Sequence, residues 1–424
     1  MTLMRVNLEQ VSLRLAGMVR PLGLNRPRAE ALARLQAMGM PGKRDEYWRY
    51  TDPASLVSPE APLAVATDYN DEPPVFGAVD CVKLVFVDGV FDELASDDMA
   101  LAGVEVSRLA VAGPGHWAED LYGTLEAAGQ VPVARPLAAL NSAYATDGVL
   151  IRVTGQAAKP ISLIYIHKSE RSDVMLHHVV KLEAGARLTL LENGPAAARL
   201  NSVLEVDLGA GAAFHNVRSQ GRDHARRAVT HIFARLATQA AFKTFTVTAN
   251  GVLTRNEVVL DLKGDDAKAH VAGAALGDGD FLHDDTVFVT HDALRCESRQ
   301  VFKKVLKNGA VGVFQGKILV KPGAQKTDGY QISQALLLDE DSQFLAKPEL
   351  EIYADDVKCS HGSTSGAIDE TALFYLRSRG VALRQAQALL VLAFLAEALG
   401  EIDDAVIAED VRSRLEGWLK RHDH

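Results

Sequence analysis

The chain has 424 residues, and its 55 acidic against 45 basic side chains give a formal net charge of −10. This balance argues against a nucleic-acid-binding protein, because attachment to a phosphate backbone needs a basic face. Three cysteines are too few for a disulfide framework, which indicates a reducing compartment. We find neither a secretory signal in residues 1–19 nor an apolar run of about eighteen residues, so we expect a cytoplasmic protein.

Residues 1–147 are predicted to form an N-terminal α/β region. Apolar residues recur every three or four positions over residues 8–19 and 32–38, which indicates two helices. Between residues 82 and 91 an alternating pattern is interrupted by Asp88-Gly89, which is typical of a two-residue hairpin turn. Two further helices are predicted over residues 116–128 and 136–144.

Residues 148–365 are predicted to form a mainly β core, a parallel β-helix or β-solenoid. Pairs made of a turn residue and a small residue recur at separations of 26, 28, 27 and 26 residues, and such a fixed period indicates a repeat architecture. After Asn308 the spacing tightens, so we expect the last coils to differ. The recurring pairs are Gly185-Ala186, Gly211-Ala212, Gln239-Ala240, Asp266-Ala267 and Asp292-Ala293.

The runs between these turns are rich in β-branched residues and are predicted to be strands. A β-sandwich is the alternative, although its strands return about every 8–12 residues without a longer period. Strand alternation predicts two faces, with Leu204, Val206 and Leu208 pointing inward and Val203, Glu205 and Asp207 facing out.

Residues 366–424 are predicted to form a C-terminal helical domain. The first helix starts near Glu370 and can end at Arg379-Gly380, and two more span residues 383–399 and 406–419. We expect this tail either to cap the last coil or to act as a docking module.

Most catalytic templates are absent from the sequence. It contains no phosphate-binding loop, no nucleophile elbow, no His-Glu-x-x-His motif and no Cys-x-x-Cys pair. His177-His178 cannot easily ligate one metal, because adjacent residues of a strand face opposite sides, and we expect surface or hydrogen-bonded histidines there. A basic cluster is interpreted as a solvated edge: Arg218, Arg222, Arg226 and Arg227.

Cys359 and His361 are the candidate metal ligands. A Cys-x-His pair on an extended segment places thiolate and imidazole on the same side, about 6–7 Å apart, and this pair suits iron, zinc or copper. The alternative is a structural one, in which Cys359 is a small buried residue and His361 caps a turn at Gly362. Two ligands are too few, so the rest would come from a second chain or from nearby carboxylates: Asp355, Asp356 or Glu370.

Three segments resemble the SufB/SufD family of the SUF iron–sulfur cluster assembly system. The resemblance covers nearly the whole chain and is to the SufD branch, because SufB has an acidic, glutamate-containing segment where this chain has KCSHG at residues 358–362. The segments are 44–51 (RDEYWRYT), 297–331 (ESRQVFKKVLKNGAVGVFQGKILVKPGAQKTDGYQ) and 353–380 (YADDVKCSHGSTSGAIDETALFYLRSRG).

The resemblance implies a right-handed parallel β-helix between N- and C-terminal helical regions. It implies a heterodimer with SufB through the β-helix, and docking of the ABC-type ATPase SufC on the helical tail. The chain is then a non-catalytic scaffold, and the ATPase activity of the complex resides in SufC. A homodimer is the arrangement to consider for the isolated chain.

The same resemblance implies that His361, with Cys359 beside it, contributes to nascent cluster formation and iron entry at the SufB interface. The metal there is a transient iron–sulfur cluster or iron, a flavin is a further candidate in the complex, and no cofactor is expected to bind tightly to the isolated chain. Cys81 and Cys296 match no family ligand, and Cys296 is expected to pack in a coil. Two alternatives remain open: a purely structural adaptor that stabilises SufB, and a β-helix polysaccharide-active enzyme. The enzyme would need a convergent group of acidic or basic side chains that the repeat does not present.

The start of the tail is the candidate surface for SufC. The candidate residues are Glu370, Phe374, Leu376, Arg377 and Arg379. The structural alternative places several apolar residues in the core of the helical domain: Leu376, Leu390, Leu392, Phe394 and Leu395.

Overall fold

A computed structural model describes the chain at residues 2–66, 73–221 and 223–422, with side chains from residue 8 onward. Its main feature is a β-solenoid built from two long sheets, which confirms the predicted mainly β fold with helices at both ends. The chain passes alternately from one sheet to the other, so each coil adds one strand to each sheet in parallel register.

The strands are β1 (Val82–Val87), β2 (Val90–Asp92), β3 (Glu105–Arg108), β4 (Val149–Val153), β5 (Ile161–Ile166), β6 (Asp173–Leu182), β7 (Arg187–Asn193), β8 (Arg199–Leu208), β9 (Ala213–Gln220), β10 (Arg227–Leu236), β11 (Ala241–Ala249), β12 (Leu253–Leu262), β13 (Lys268–Asp278), β14 (Leu282–His291), β15 (Glu297–Lys307), β16 (Val311–Val320), β17 (Asp328–Leu337), β18 (Gln343–Ile352) and β19 (Lys358–Gly366). Sheet A contains β1, β2 and the odd-numbered strands from β5 to β19, and sheet B contains β3 and the even-numbered strands from β4 to β18. The α-helices are α1 (Thr2–Leu15), α2 (Asn25–Met38), α3 (Ala54–Val57), α4 (Thr124–Ala128), α5 (Pro136–Tyr144), α6 (Glu370–Ser378), α7 (Leu383–Leu399) and α8 (Ala405–Arg421).

A left-handed residue followed by a small buried residue forms the corner that precedes the strands β7 to β17 of sheet A. The first four predicted pairs lie at these corners, but the fifth, Asp292-Ala293, was wrong, because the corner is Arg295-Cys296. The coil also lengthens after Asn308 instead of tightening, since Gly309-Ala310 belongs to the corner before β16. The left-handed residues are Gly185, Gly211, Gln239, Asp266, Arg295 and Lys326.

The N-terminal region covers the outer face of sheet B. The predicted hairpin is present as β1 and β2, and β1 continues sheet A while β3 continues sheet B. Residues 116–128 are not one helix, as predicted, but a short 3-10 turn followed by α4. Val203 does face away from the solenoid interior, yet it packs under these N-terminal helices and is fully buried.

Helices α7 and α8 pack along the outer face of sheet A, and α6 packs against α7. Leu395 of α7 and Leu415 of α8 lie in one apolar cluster with Phe245 and Val301 of the sheet. Of the predicted tail core, Leu395 is fully buried, and the others are half-buried: Leu376, Leu390, Leu392 and Phe394. The tail therefore lies beside the coils and does not cap the last one.

Among the described residues, no helix combines the length and apolarity that crossing a membrane would require.

Candidate functional site

The last coil of the solenoid has an open inner face. Its two strands, β18 and β19, are each hydrogen-bonded on one side only, to β16 and β17. In β17 the inward residues Gln331 and Ser333 are fully buried, because the last coil covers them. No further coil covers β19, and its side chains are exposed or half-buried. Any partner that covers this end will contact inward-facing side chains as well as two free strand edges.

Cys359 and His361 lie in the inward row of β19. They pair in parallel register with Gly329 and Gln331, and two residues further on the hydroxyl of Ser363 hydrogen-bonds that of Ser333 at 2.7 Å. Since side chains of a strand alternate between its faces, residues 359, 361 and 363 all point into the open end.

The two candidate ligands have different surroundings. Cys359 is half-buried against an apolar group that includes Ile318 and Val320. Burial raises the pKa of its thiol, which keeps it in the neutral form that is the weaker metal ligand. The side chain of His361 is exposed. The imidazole is thus the donor more accessible to a ligand from outside.

The carboxylates proposed as further ligands do not complete a site. In the part of the chain that the structure describes, no group of three or more histidine, cysteine and acidic side chains could hold a metal ion. Asp355 and Asp356 are exposed in the turn before β19, and Glu370 is exposed at the start of α6. A metal at His361 therefore needs ligands from another molecule.

Two glutamines that the sequence reasoning missed lie beneath His361. Gln300 pairs with Gln331, and Gln331 pairs with His361, so the three form one inward row across β15, β17 and β19. Both glutamines are fully buried, and neither amide has a hydrogen-bond partner. Gly316 on the opposite sheet makes room for Gln331, whose amide atoms lie 2.5–2.7 Å from where a Cβ would stand. The sequence does contain a signal for this row, because Gln300, Gln331 and His361 follow one another at intervals of about one coil.

The rest of the interior also carries a polar network. Arg218 lies 3.2 Å from Glu192 and donates to Thr230 at 2.8 Å. Further along, buried Lys304 donates to Asp285 at 2.5 Å. The predicted solvated edge was therefore wrong for Arg218 and also for Arg226, which is 1% exposed. Arg227 is half-buried, and Arg222 lies outside the described residues.

The adjacent histidines face opposite sides, as predicted. His177 points outward, 2.9 Å from Glu205, and His178 points inward, 3.1 Å from the hydroxyl of Tyr165. Burial lowers the pKa of His178 to about 4, so its ring is neutral at neutral pH. These histidines are part of the fold's hydrogen bonding, and Cys296 likewise packs in a coil and donates to the carbonyl of Gly264.

Helix α6 presents an exposed surface next to the last coil. Asp369 caps it by accepting from the backbone N–H groups of Thr371 and Ala372. The helix has no buried residue, and Phe374 and Tyr375 are 73% and 56% exposed. The remaining candidates are placed as follows: Glu370, Arg377 and Arg379 are exposed, and Leu376 is half-buried.

Comparison with known proteins places this geometry in a family. A family model described as "SUF system FeS cluster assembly, SufBD core domain" matches residues 165–394. The iron–sulfur cluster assembly protein SufD of Escherichia coli is 28% identical over 393 residues, which cover 91% of this chain and 90% of that protein. SufD of Bacillus subtilis is 26% identical over 295 residues, 67% of each chain. A SufBD family protein of Mycobacterium leprae is 26% identical over 407 residues, 92% of this chain and 93% of the relative. The chain belongs to the SufBD family of the SUF system for iron–sulfur cluster assembly.

Proposed function

We propose that this chain is a scaffold subunit that supplies His361 to a nascent iron–sulfur cluster, or to entering iron, held between its last coil and a SufB partner. The cluster is cargo that the complex builds and passes on. The ATPase SufC docks on α6 and drives movement of the tails.

The observation that carries this proposal is the incomplete ligand set at an open solenoid end. His361 is exposed in the inward row of β19, and the described residues around it do not complete a metal site. A site divided between two chains can open when the chains move, which would let iron and sulfur enter and the cluster leave. A closed four-ligand cage within one chain would hold its metal more firmly.

The free edges of the same coil support the choice of partner. β18 and β19 leave unpaired backbone groups on one side, and a second solenoid with a matching end could continue both sheets. Pro348 in β18 lacks an N–H donor, so the fit is selective for a partner that needs no bond at that position.

The test uses the complex purified from cells that co-express all three chains. After anaerobic reconstitution with ferrous iron and sulfide, absorption and Mössbauer spectra measure the cluster formed. We expect His361→Ala to lower cluster formation about tenfold or more, because loss of a ligand's hydrogen-bond partner alone weakens metal sites by about 10–100-fold, and loss of the ligand itself should cost at least as much. Cys359→Ala is expected to have a smaller effect, since its thiol is half-buried and neutral.

Ser365→Ala is the matched control, because Ser365 lies four residues from His361 in the same inward row and is also exposed. Gel filtration of each complex checks that the three chains still assemble. If His361→Ala and Cys359→Ala both retain full cluster formation in an intact complex, the chain is a structural adaptor and the proposed ligand role is wrong.

A further inference from the structure

The buried amide of Gln331 is the starting point. Its side chain is fully buried, and neither its nitrogen nor its oxygen has a hydrogen-bond partner. A buried polar group without a partner is costly, so native proteins rarely keep one without a reason. Gln300, one coil below, has the same two unpartnered atoms. Four unsatisfied amide atoms thus lie in one row that ends at His361.

The position of Gln331 makes His361 its natural partner. The two residues face each other in the parallel register of β17 and β19, on the inward side. Neighbouring strands are about 4.8 Å apart, a distance that a glutamine and a histidine side chain can span. Gly316 on the opposite sheet leaves space for the amide head.

A histidine that binds metal through one ring nitrogen usually donates the N–H of the other nitrogen to a fixed acceptor. The acceptor selects the tautomer and holds the ring plane. Without it, an exposed imidazole rotates freely and exchanges between two tautomers. In the described part of the chain, the oxygen of Gln331 is an acceptor that no other group uses.

We infer that Gln331 is a positioning residue for His361: its side-chain oxygen accepts the N–H of one imidazole nitrogen and leaves the other nitrogen free to bind cargo. The amide nitrogen of Gln331 then donates to the oxygen of Gln300, so that the row forms one polarised hydrogen-bond chain. This inference rests on the proposed ligand role of His361, and it goes further by saying how that ring is held.

The test measures the tautomer of His361 directly in the full chain. Histidine labelled with ¹⁵N reports the protonation of each ring nitrogen by NMR, and the His361→Ala spectrum identifies the signal. We expect Gln331→Leu, which removes the acceptor while keeping the bulk, to shift the tautomer ratio of His361 about fivefold. That factor corresponds to about 1 kcal/mol for one hydrogen bond.

Two further variants make the result specific. Gln331→Glu keeps an acceptor oxygen and should retain the native tautomer. Ser333→Ala is the matched control, because Ser333 is the next inward residue of β17 and its hydroxyl bonds Ser363, so it should leave the ratio unchanged. An unchanged ratio in Gln331→Leu would overturn the inference, and so would an equal shift in Ser333→Ala.

The NMR result is independent of cluster assembly, so the two proposals can fail separately. If Gln331→Leu shifts the tautomer but His361→Ala still assembles clusters, the positioning contact stands and the ligand role is lost. If the ratio does not change but His361→Ala abolishes assembly, the ligand role stands without this contact. In the complex, we expect Gln331→Leu to lower cluster formation about tenfold and Gln331→Glu to restore most of it.

Discussion

His291 illustrates what a polar residue inside the solenoid costs. It is the last residue of β14, fully buried, and one ring nitrogen lies 2.8 Å from the hydroxyl of Ser298. Burial lowers the pKa of the imidazole to about 4. In the unfolded chain the same ring takes up a proton below about pH 6.5. The folded state therefore loses stability as the pH falls from about 6.5 to about 4.

We predict that His291→Gln reduces this acid sensitivity. The amide can still bond Ser298 but takes up no proton in either state. Between pH 7 and pH 5 the free energy of unfolding of the variant should fall by about 2 kcal/mol less than that of the native chain. Urea unfolding followed by circular dichroism at both pH values measures the difference. Equal losses in the two proteins would mean that His291 is protonated in the folded state.

Sequence patterns predicted the strands, but they did not predict which polar residues lie inside the solenoid. In the sequence, Arg218 belongs to a basic cluster that is typical of a surface. Only the alternation of side chains along β9 places it inside the solenoid, next to Glu192. Periodicity gives two faces without saying which is the interior, and here the outer face is also buried, under the N-terminal helices. Cys359 and His361 were proposed as ligands because their motif is short and local. Gln300 and Gln331 were missed because they are about one coil apart.

The corners before strands β7 to β17 of sheet A share one backbone pattern. Each combines a left-handed residue with a small buried one, and at Gln239 the left-handed residue has a side chain and φ of 58°. This conformation costs a residue with a Cβ about 1–2 kcal/mol. The next residue, Ala240, is fully buried where the coil turns inward.

We predict opposite effects at these two adjacent positions. Gln239→Gly should raise the free energy of unfolding by up to about 1 kcal/mol, because relief of the left-handed strain exceeds the added entropy of the unfolded chain. Ala240→Leu should lower it by about 1–3 kcal/mol through overpacking. Thermal unfolding of both variants provides the measurement. A Gln239→Gly variant less stable than the native chain would show that its side chain makes a contribution that outweighs the strain.

The same corners explain why the repeat could be read from the sequence only in part. Four of them end in alanine and are visible as a period, whereas the next two end in Cys296 and Thr327. Arginine and lysine, which are not typical turn residues, occupy the left-handed positions before those residues. A period followed through alanine therefore loses the register at Cys296, where the coil is also longer.

The arrangement of the tail beside the solenoid concerns the whole molecule. The tail helices were predictable from the spacing of their apolar residues, but this spacing does not indicate which sheet the helices cover. Because α7 and α8 lie along the outer face of sheet A, the solenoid end stays open, and α6, which packs against α7, stays exposed. The molecule thus presents two separate surfaces, one at the last coil and one on α6, and these are the surfaces proposed for SufB and SufC.

We predict that Phe374→Ala weakens binding of purified SufC at least about tenfold, because exposed aromatic residues often anchor interfaces and lose about 2 kcal/mol or more on truncation. Val406→Ala is the matched control, since Val406 is 50% exposed on α8 and away from the proposed contact. Isothermal titration calorimetry compares the two. Equal affinities for both variants would argue against docking at α6.

The open end of the last coil has a consequence for the cell. A chain without a partner carries two unpaired strand edges, and such edges recruit other β-segments into aggregates. Surplus copies would accumulate as insoluble material or be removed by proteases. Balanced synthesis of the subunits then prevents aggregation as well as supporting cluster assembly. Unequal gene dosage should be toxic even where the supply of clusters is sufficient.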